Sequence, residues 1–232
     1  MANRPVYIPK LNYELPGVIT KDVEFKWFPG MSKSQKQKSI TSLHEAAIDL
    51  DISPILEISS KSEIELGVEL SAFNLKITTK KKAKSFSVET AFQSSKVFEK
   101  GGPYTDLLEG TSRQAKKDIR LKESGNLIKF QFFSKEFSLK PRTLFYDWLY
   151  INALHQNECL SDHLLSYRGF TDIEFNLKKS INCQAYSAAL YVSLRTIGVI
   201  QEALESPESF IKVLRKEYEK RDGFFVIQST LL

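Results

Sequence analysis

The segment Arg142 to His155, RTLFYDWLYINALH, carries Leu144, Phe145, Trp148, Leu149 and Leu154 and follows Pro141 directly. A helix this apolar is buried on most of its faces. At about four turns it is too short for a bilayer, which takes roughly 20 apolar residues, so it is expected at the core of a globular domain. The rest of the chain has to wrap it. With 232 residues, 42% of them hydrophobic, there is enough material for one domain, or for a domain with an extra lobe.

The wrapping elements are short and mixed. Val23 to Phe28 alternates like a strand and is closed by Pro29-Gly30, and Ser32 then has the place of an N-cap for an amphipathic helix from Gln37 to Leu50. Pro54 to Ile58 and Leu66 to Ile77 read as strands, with Lys80 to Lys84 as the loop after them. Phe86 to Phe98 reads as a short helix, and TSRQAKKDIRLK as a second one capped by Thr111 or Ser112. NLIKFQFFSKEFSLKP reads as a hairpin turning near Ser134-Lys135. After the apolar helix come a short helix from Glu158 to Tyr167, an extended GFTDIEFN, a helix from Asn182 to Gly198, and a charged helix from Ser206-Pro207 to about Lys220. No βαβ repeat appears, so the expected class is α+β, a helix-dominated single domain with small β elements. Residues 1–50 read as an N-terminal extension with a basic amphipathic helix, and residues 51–232 as the domain that carries the chemistry.

No apolar run reaches membrane length and MANRPVYIPK lacks the apolar core of a signal peptide, so a cytoplasmic, non-membrane protein is expected. Cys159 and Cys183 form no CxxC, and His44, His155 and His163 show no ligand spacing; neither a disulfide framework nor a zinc site is expected. The net charge of +5 is concentrated in Lys33-Lys36-Lys38, Lys80 to Lys84 and Arg113 to Lys122. Clustered cations suit a phosphate-bearing partner, although solvated loops have the same composition.

Walker, GxGxxG, GxSxG and HExxH patterns are all missing, which removes the usual support for P-loop hydrolysis and serine-triad chemistry. What remains is spread over four segments. Glu89, Gln93 and Lys96 share one stripe if residues 86 to 98 are helical, with Glu89 and Lys96 about 10 Å apart along the axis. Lys116 and Arg120 fall at i,i+4, where like charges repel unless an anion lies between them. Asp172 and Glu174 would lie on one side of a strand. Asn182 and Gln184 open a helix, where asparagine serves equally as a cap or as a ligand for hydroxyls or phosphate. Each segment alone is also what an ordinary solvated face looks like.

Taken together, the segments resemble the NADAR superfamily, the YbiA-like proteins that act on ADP-ribose and related N-glycosides. LSAFNL resembles the family's L-S-N-F motif, VETAFQSSKVF its E-x-x-x-Q-x-x-K-F motif, AKKDIR its A-K-x-x-x-R, TDIEF its D-x-x-W and INCQA its N-x-L-G. More narrowly, FKWFPGMSKSQKQKSITSLHEAA, GGPYTDLL, FYDWLYINAL and FTDIEFNLKKSINCQAYSAAL are similar to the NADAR branch encoded beside DarT toxins. Ala72 stands where the motif has asparagine, with Asn74 two residues on; Phe175-Asn176 replaces Trp-Gly, and Ala185 replaces glycine.

The resemblance implies a YbiA-like fold and an antitoxin that removes ADP-ribose from guanine in DNA modified by a DarT-type toxin. It implies Glu89 and Lys96 as catalytic residues, with Lys96 acting either as an acid or as a Schiff-base nucleophile. It further implies Lys116 and Arg120 on the diphosphate, and Asn74, Gln93, Asp172, Phe175 and Asn182 around the sugar and base. Lys33, Lys36 and Lys38 would meet the DNA strand. The implied ligands are ADP-ribose and ADP-ribosylated single-stranded DNA, with no metal or other cofactor. Two competing expectations share the pocket: an N-glycosidase for a small metabolite of the riboflavin pathway, and a neutraliser that binds toxin or modified DNA without cleaving it.

Overall fold

The computed structural model describes residues 1–79, 84–176 and 180–222. In chain order its elements are β1 (Ala2–Pro9), β2 (Val18–Phe25), α1 (Lys33–Ile48), β3 (Ile55–Glu57), α2 (Glu65–Glu69), β4 (Lys76–Thr78), β5 (Ser85–Ser87), α3 (Val88–Ser94) and β6 (Lys96–Phe98). There follow α4 (Ser112–Lys117), α5 (Arg120–Glu123), β7 (Leu127–Phe132), β8 (Lys135–Phe137), α6 (Leu144–Gln156), α7 (Glu158–Leu164), β9 (Gly169–Thr171), α8 (Gln184–Ile197), α9 (Ile200–Glu205), α10 (Pro207–Val213) and α11 (Arg215–Asp222). The class is α+β. Among the described residues no helix is long and apolar enough to cross a membrane.

The apolar helix lies at the centre, as its composition requires. From Leu144 to Leu154 every residue of α6 except Asn152 is buried. The Phe145 ring sits 4.8 Å from both Phe130 and Phe137, so the small sheet β6-β7-β8 packs directly on α6. Aromatic pairs at this spacing add about 0.5–1.5 kcal/mol each beyond the area they bury. On another side Tyr150 donates its hydroxyl to the Leu70 carbonyl at 2.7 Å.

The main sheet has the order β2-β1-β9-β3, with β1 antiparallel to β2 and β9, and β3 parallel to β9. The N-terminal strands are thus hydrogen-bonded into the same sheet as β3 and β9. Ile40, Leu43 and Ala47 of α1 close over Val6, Val23 and Phe25 in a second apolar cluster. Ser32 caps α1 as expected, its side chain accepting from Gln35 N.

Several expectations are corrected. Leu66 to Ile77 is not one strand: α2 occupies Glu65–Glu69 and only Lys76–Thr78 is extended. Leu66 and Leu70 lie four apart, so this short apolar run fits a helical period as well as an alternating one. Helix α3 stops at Ser94, because Ser94 and Ser95 both turn their hydroxyls back onto the Ala91 carbonyl and Lys96 joins β7 opposite Phe130. The segment after Thr111 breaks at Asp118 into α4 and α5. The last charged helix is likewise broken at Leu214 into α10 and α11. Lys80, Lys81 and Lys82 of the lysine run lie outside the described residues.

Candidate active site

A cavity of about 560 Å³ opens between α3, β6, α4, α6 and residues 172–176 and 180–184. That volume is in the range of small-molecule sites. Its floor is α3. Ser87 caps this helix by accepting from Thr90 N at 3.1 Å, and the loop before it is tied down by Glu89 N to Ala72 O (2.8 Å) and Val88 N to Leu75 O (3.0 Å). Ser112 at the head of α4 donates to the Phe73 carbonyl at 2.8 Å and lies 2.7 Å from the Ser87 hydroxyl. The starts of α3 and α4 and the Phe73 loop therefore form one hydrogen-bonded corner.

Glu89 is buried in that corner. Its Oε1 accepts from Gln93 Nε2 at 2.9 Å and faces Lys116 Nζ at 3.8 Å, while its Oε2 has no hydrogen bond within the described residues. Since a carboxylate only accepts, Gln93 must present its NH2 to Glu89, which leaves Gln93 Oε1 turned away. That oxygen is buried and unpartnered, as is Asn182 Oδ1 across the cavity. Buried acceptors without donors are rare in native proteins.

Cations stand opposite these oxygens. Lys96 lies over the Phe92 ring, 5.0 Å from its centroid, with no carboxylate within 4 Å among the described residues. Burial holds its ammonium below the usual lysine range; Glu89 pulls the other way and Lys116 adds to the depression. Lys116, more than half exposed, lies 4.9 Å above the Phe73 ring at the rim, and Arg142 and Tyr146 also line the cavity. Burial and the neighbouring Glu89 push the Tyr146 phenol up.

The cavity brings together Glu89, Gln93, Lys96, Lys116, Asp172, Phe175 and Asn182, seven of the residues singled out in the sequence. The route differs for several of them. Lys96 reaches Glu89 from the start of β6 and not from a second turn of one helix. Asp172 and Glu174 do not share a strand, because β9 ends at Thr171 and Asp172 Oδ1 accepts from Glu174 N (3.0 Å) and Phe175 N (3.1 Å) in a side-chain-closed turn. Asn182 precedes α8, whose N-cap is Cys183.

Two expected residues lie outside the lining. Asn74 is exposed and donates to the Val68 carbonyl at 2.8 Å, which closes its own turn. Arg120 is not one helical turn from Lys116; it is held by Asp118 at 2.9 Å and Asp106 at 2.7 Å, stacked 4.5 Å from Tyr104. Of the basic residues on α1, Lys33 and Lys38 are exposed, whereas Lys36 pairs with Glu174 at 3.3 Å and covers the Trp27 ring at 4.8 Å. Since Glu174 lines the cavity, that pair places α1 beside its mouth.

Reading the sequence missed Phe73, Arg142, Tyr146 and Glu57. Arg142 had a local sign, a lone cation between Pro141 and the apolar helix. Glu57 had none. Its bonds to Thr171 and Ile173 reach more than a hundred residues along the chain.

A family model described as DarT1-associated NADAR antitoxin matches residues 2–223. Among curated proteins none matches the chain.

Proposed function

The chain belongs to the family of DarT1-associated NADAR antitoxins, and from that premise we propose that it is an ADP-ribosyl hydrolase that cuts the N-glycosidic bond between ADP-ribose and guanine in DNA. The observation that carries this reading is a cavity lined by Glu89, Gln93 and Asn182, whose Oε2, Oε1 and Oδ1 atoms make no hydrogen bond among the described residues, together with Lys96 and Lys116. A ribose supplies hydroxyl donors for such acceptors, and a diphosphate supplies the negative charge that the lysines lack. Phe73 at the rim and Phe175 in the wall are apolar surfaces suited to a base.

The reaction follows from what the bond requires. As the bond from C1″ to the base nitrogen breaks, positive charge develops on the sugar, and the Glu89 carboxylate beside it lowers the barrier. Water forms the new C1″–O bond, with Glu89 Oε2 taking its proton. Lys96, whose ammonium is made more acidic by burial, delivers a proton to the departing nitrogen. The products are ADP-ribose and unmodified guanine. The same depression suits the free amine to attack C1″ of an opened ribose, and reduction with borohydride during turnover separates the two roles. Lys116 holds the diphosphate, Asp172 and Asn182 the sugar oxygens, and Lys33 and Lys38 the flanking DNA.

The test is direct. Incubated with single-stranded DNA carrying ADP-ribosylated guanine, the protein is expected to release free ADP-ribose. Tight binding without release would favour the non-enzymatic neutraliser, and cleavage of a small N-glycoside but not of modified DNA would favour the metabolite glycosidase.

A further inference from the structure

Behind the half-buried Asp172 lies a fully buried carboxyl that the proposed reaction does not use. Glu57, at the end of β3, is 1% exposed. Its Oε2 accepts from the Thr171 hydroxyl at 2.6 Å and its Oε1 from Ile173 N at 2.8 Å, so it grips the residues on both sides of Asp172. Parallel pairing of β3 with β9, Glu57 opposite Thr171, builds this grip into the sheet. Neither Glu57 nor Asp172 forms an ion pair within the described residues, although Glu174 next door is paired with Lys36. With Glu57 buried, Asp172 half-buried beside it and no cation on either among the described residues, ionising both carboxyls costs more than ionising one.

Hydrogen bonding decides which one keeps the proton. Burial pushes the Glu57 carboxyl up as well, but both its oxygens receive donors and the Ser59 hydroxyl adds another, all of which pull it back down. The Thr171 hydroxyl has a single hydrogen; having given it to Glu57, it must accept from His44 Nε2, 2.9 Å away. That puts a proton on His44 Nε2, and burial, which holds this imidazole down near 4, keeps the ring neutral. The chain His44 to Thr171 to Glu57 thus points donors at the Glu57 carboxylate. Asp172 has Oδ1 engaged by two backbone amides. Those amides stand at 3.0 and 3.1 Å, longer than the 2.6 and 2.8 Å donors on Glu57; the Gln184 NH2, one hydrogen of which goes to the Ile58 carbonyl (2.6 Å), favours the Asp172 carboxylate with the other, but burial outweighs these bonds and the proton stays on Asp172.

We infer that Glu57 is a positioning residue for Asp172: it fixes the turn that carries Asp172 into the cavity and, as the charged partner of the pair, leaves Asp172 protonated, so that Asp172 offers a hydrogen-bond donor to an oxygen of the bound sugar or diphosphate. This rests on the reading of the cavity as an ADP-ribose site. The donor complements a pocket whose other side is made of acceptors, Glu89, Gln93 Oε1 and Asn182 Oδ1. Burial first, and then the neighbouring Glu57, push the Asp172 carboxyl up. The other titratable groups facing Asp172 are Tyr7 on β1, Tyr146 and Tyr150 on α6, and Cys183 at the start of α8, all pushed up as well and therefore neutral near pH 7. Glu174 on the same turn acts on the pair from the mouth, and its own charge is met by Lys36.

The test is a carboxyl-carbon NMR titration of the unliganded protein, followed by calorimetric binding of free ADP-ribose against pH. In the wild type one buried carboxyl should stay protonated at pH 7. Its signal should be missing from Asp172→Asn and should titrate about one unit or more lower in Glu57→Gln, where the second carboxyl is gone. ADP-ribose affinity should fall as pH rises through the wild-type titration, should lose that dependence in Asp172→Asn, and should drop further in Asp172→Ala than in Asp172→Asn. Ordinary titration of both carboxyls below about pH 5, or an Asp172 titration unmoved by Glu57→Gln, would overturn the inference. Should Glu57→Gln fail to fold, the comparison of wild type with Asp172→Asn still decides where the proton sits. If the carboxyl titrates as expected but ADP-ribose does not bind, the reading of the cavity fails and the carboxyl pair stands.

Discussion

Two buried acidic clusters flank α6, and they are built in opposite ways. Asp147 accepts from Ser187 on Oδ1 and from Thr143 and Tyr218 on Oδ2, with Arg221 at 3.6 Å. Nearby, Glu217 accepts from Tyr186 and Val18 N on Oε1, and Lys10 reaches Oε2 at 3.2 Å. Every oxygen there has a donor from the protein. At Glu89, by contrast, one oxygen is engaged while Oε2, Gln93 Oε1 and Asn182 Oδ1 are not. Composition does not separate the two clusters, since both mix acids, cations and aromatics. Saturation does. The first binds α11 to α6, α8 and the N-terminal hairpin, and the second leaves acceptors free among the described residues for the donors of the proposed ligand.

The contrast can be broken by mutation, starting with the cluster beside the cavity. Lys96→Ala should lower ADP-ribose release by about 10²-fold or more with little change in melting temperature, since general acid or nucleophilic help of that size is lost. Wild-type turnover in that variant would remove Lys96 from the site. On the saturated side the pattern should invert. Asp147→Ala strands the Arg221 guanidinium, which stacks 3.7 Å from the Tyr186 ring, and should cost about 3–5 kcal/mol of stability in chemical denaturation. Turnover per folded molecule should be unchanged, and a specific catalytic loss there would erase the distinction.

A smaller effect is expected on α1. Lys33→Ala with Lys38→Ala should weaken binding to modified DNA and lower the log-log salt slope by roughly 0.7 per lysine, without altering cleavage of an ADP-ribosylated nucleoside. Equal loss on both substrates would contradict a DNA-contact role. The smallest concerns pH. His44 titrates near 4 in the folded protein, below its ordinary 6.5, so between those values the unfolded chain binds more protons. Stability should therefore fall as pH drops from 6.5 to about 4, and His44→Gln, which keeps a donor for Thr171, should remove about 3 kcal/mol of that fall. An identical pH profile in the variant would mean that His44 is not held neutral.

How much could be read from the chain depended on how local each cause was. The core helix was legible because Leu144, Phe145, Trp148 and Leu149 leave it no exposed option, and the start of α1 because Ser32 bonds three residues ahead. The break after Ser94 was not, since it needs two serines to turn on Ala91 and a strand far along the chain to pair with Lys96. Glu89, Gln93 and Lys116 were recognisable from motif spacing. Arg120 matched its motif equally well, yet Asp106 and Asp118 draw it away from the cavity, which spacing cannot express. Asp172, singled out in the sequence, lines the cavity, but its neighbour Glu57 depends on β3 pairing with β9, a relation with no signature along the chain.

The central claim is that Glu89 is left half-satisfied because it acts on the ligand. Glu89→Gln keeps the shape of the side chain and its place on α3, so the decisive measurement is the rate of ADP-ribose release from modified single-stranded DNA in this variant, set beside its affinity for ADP-ribose. The account predicts retained affinity and a rate lower by about 10²-fold or more. Release at the wild-type rate would contradict it.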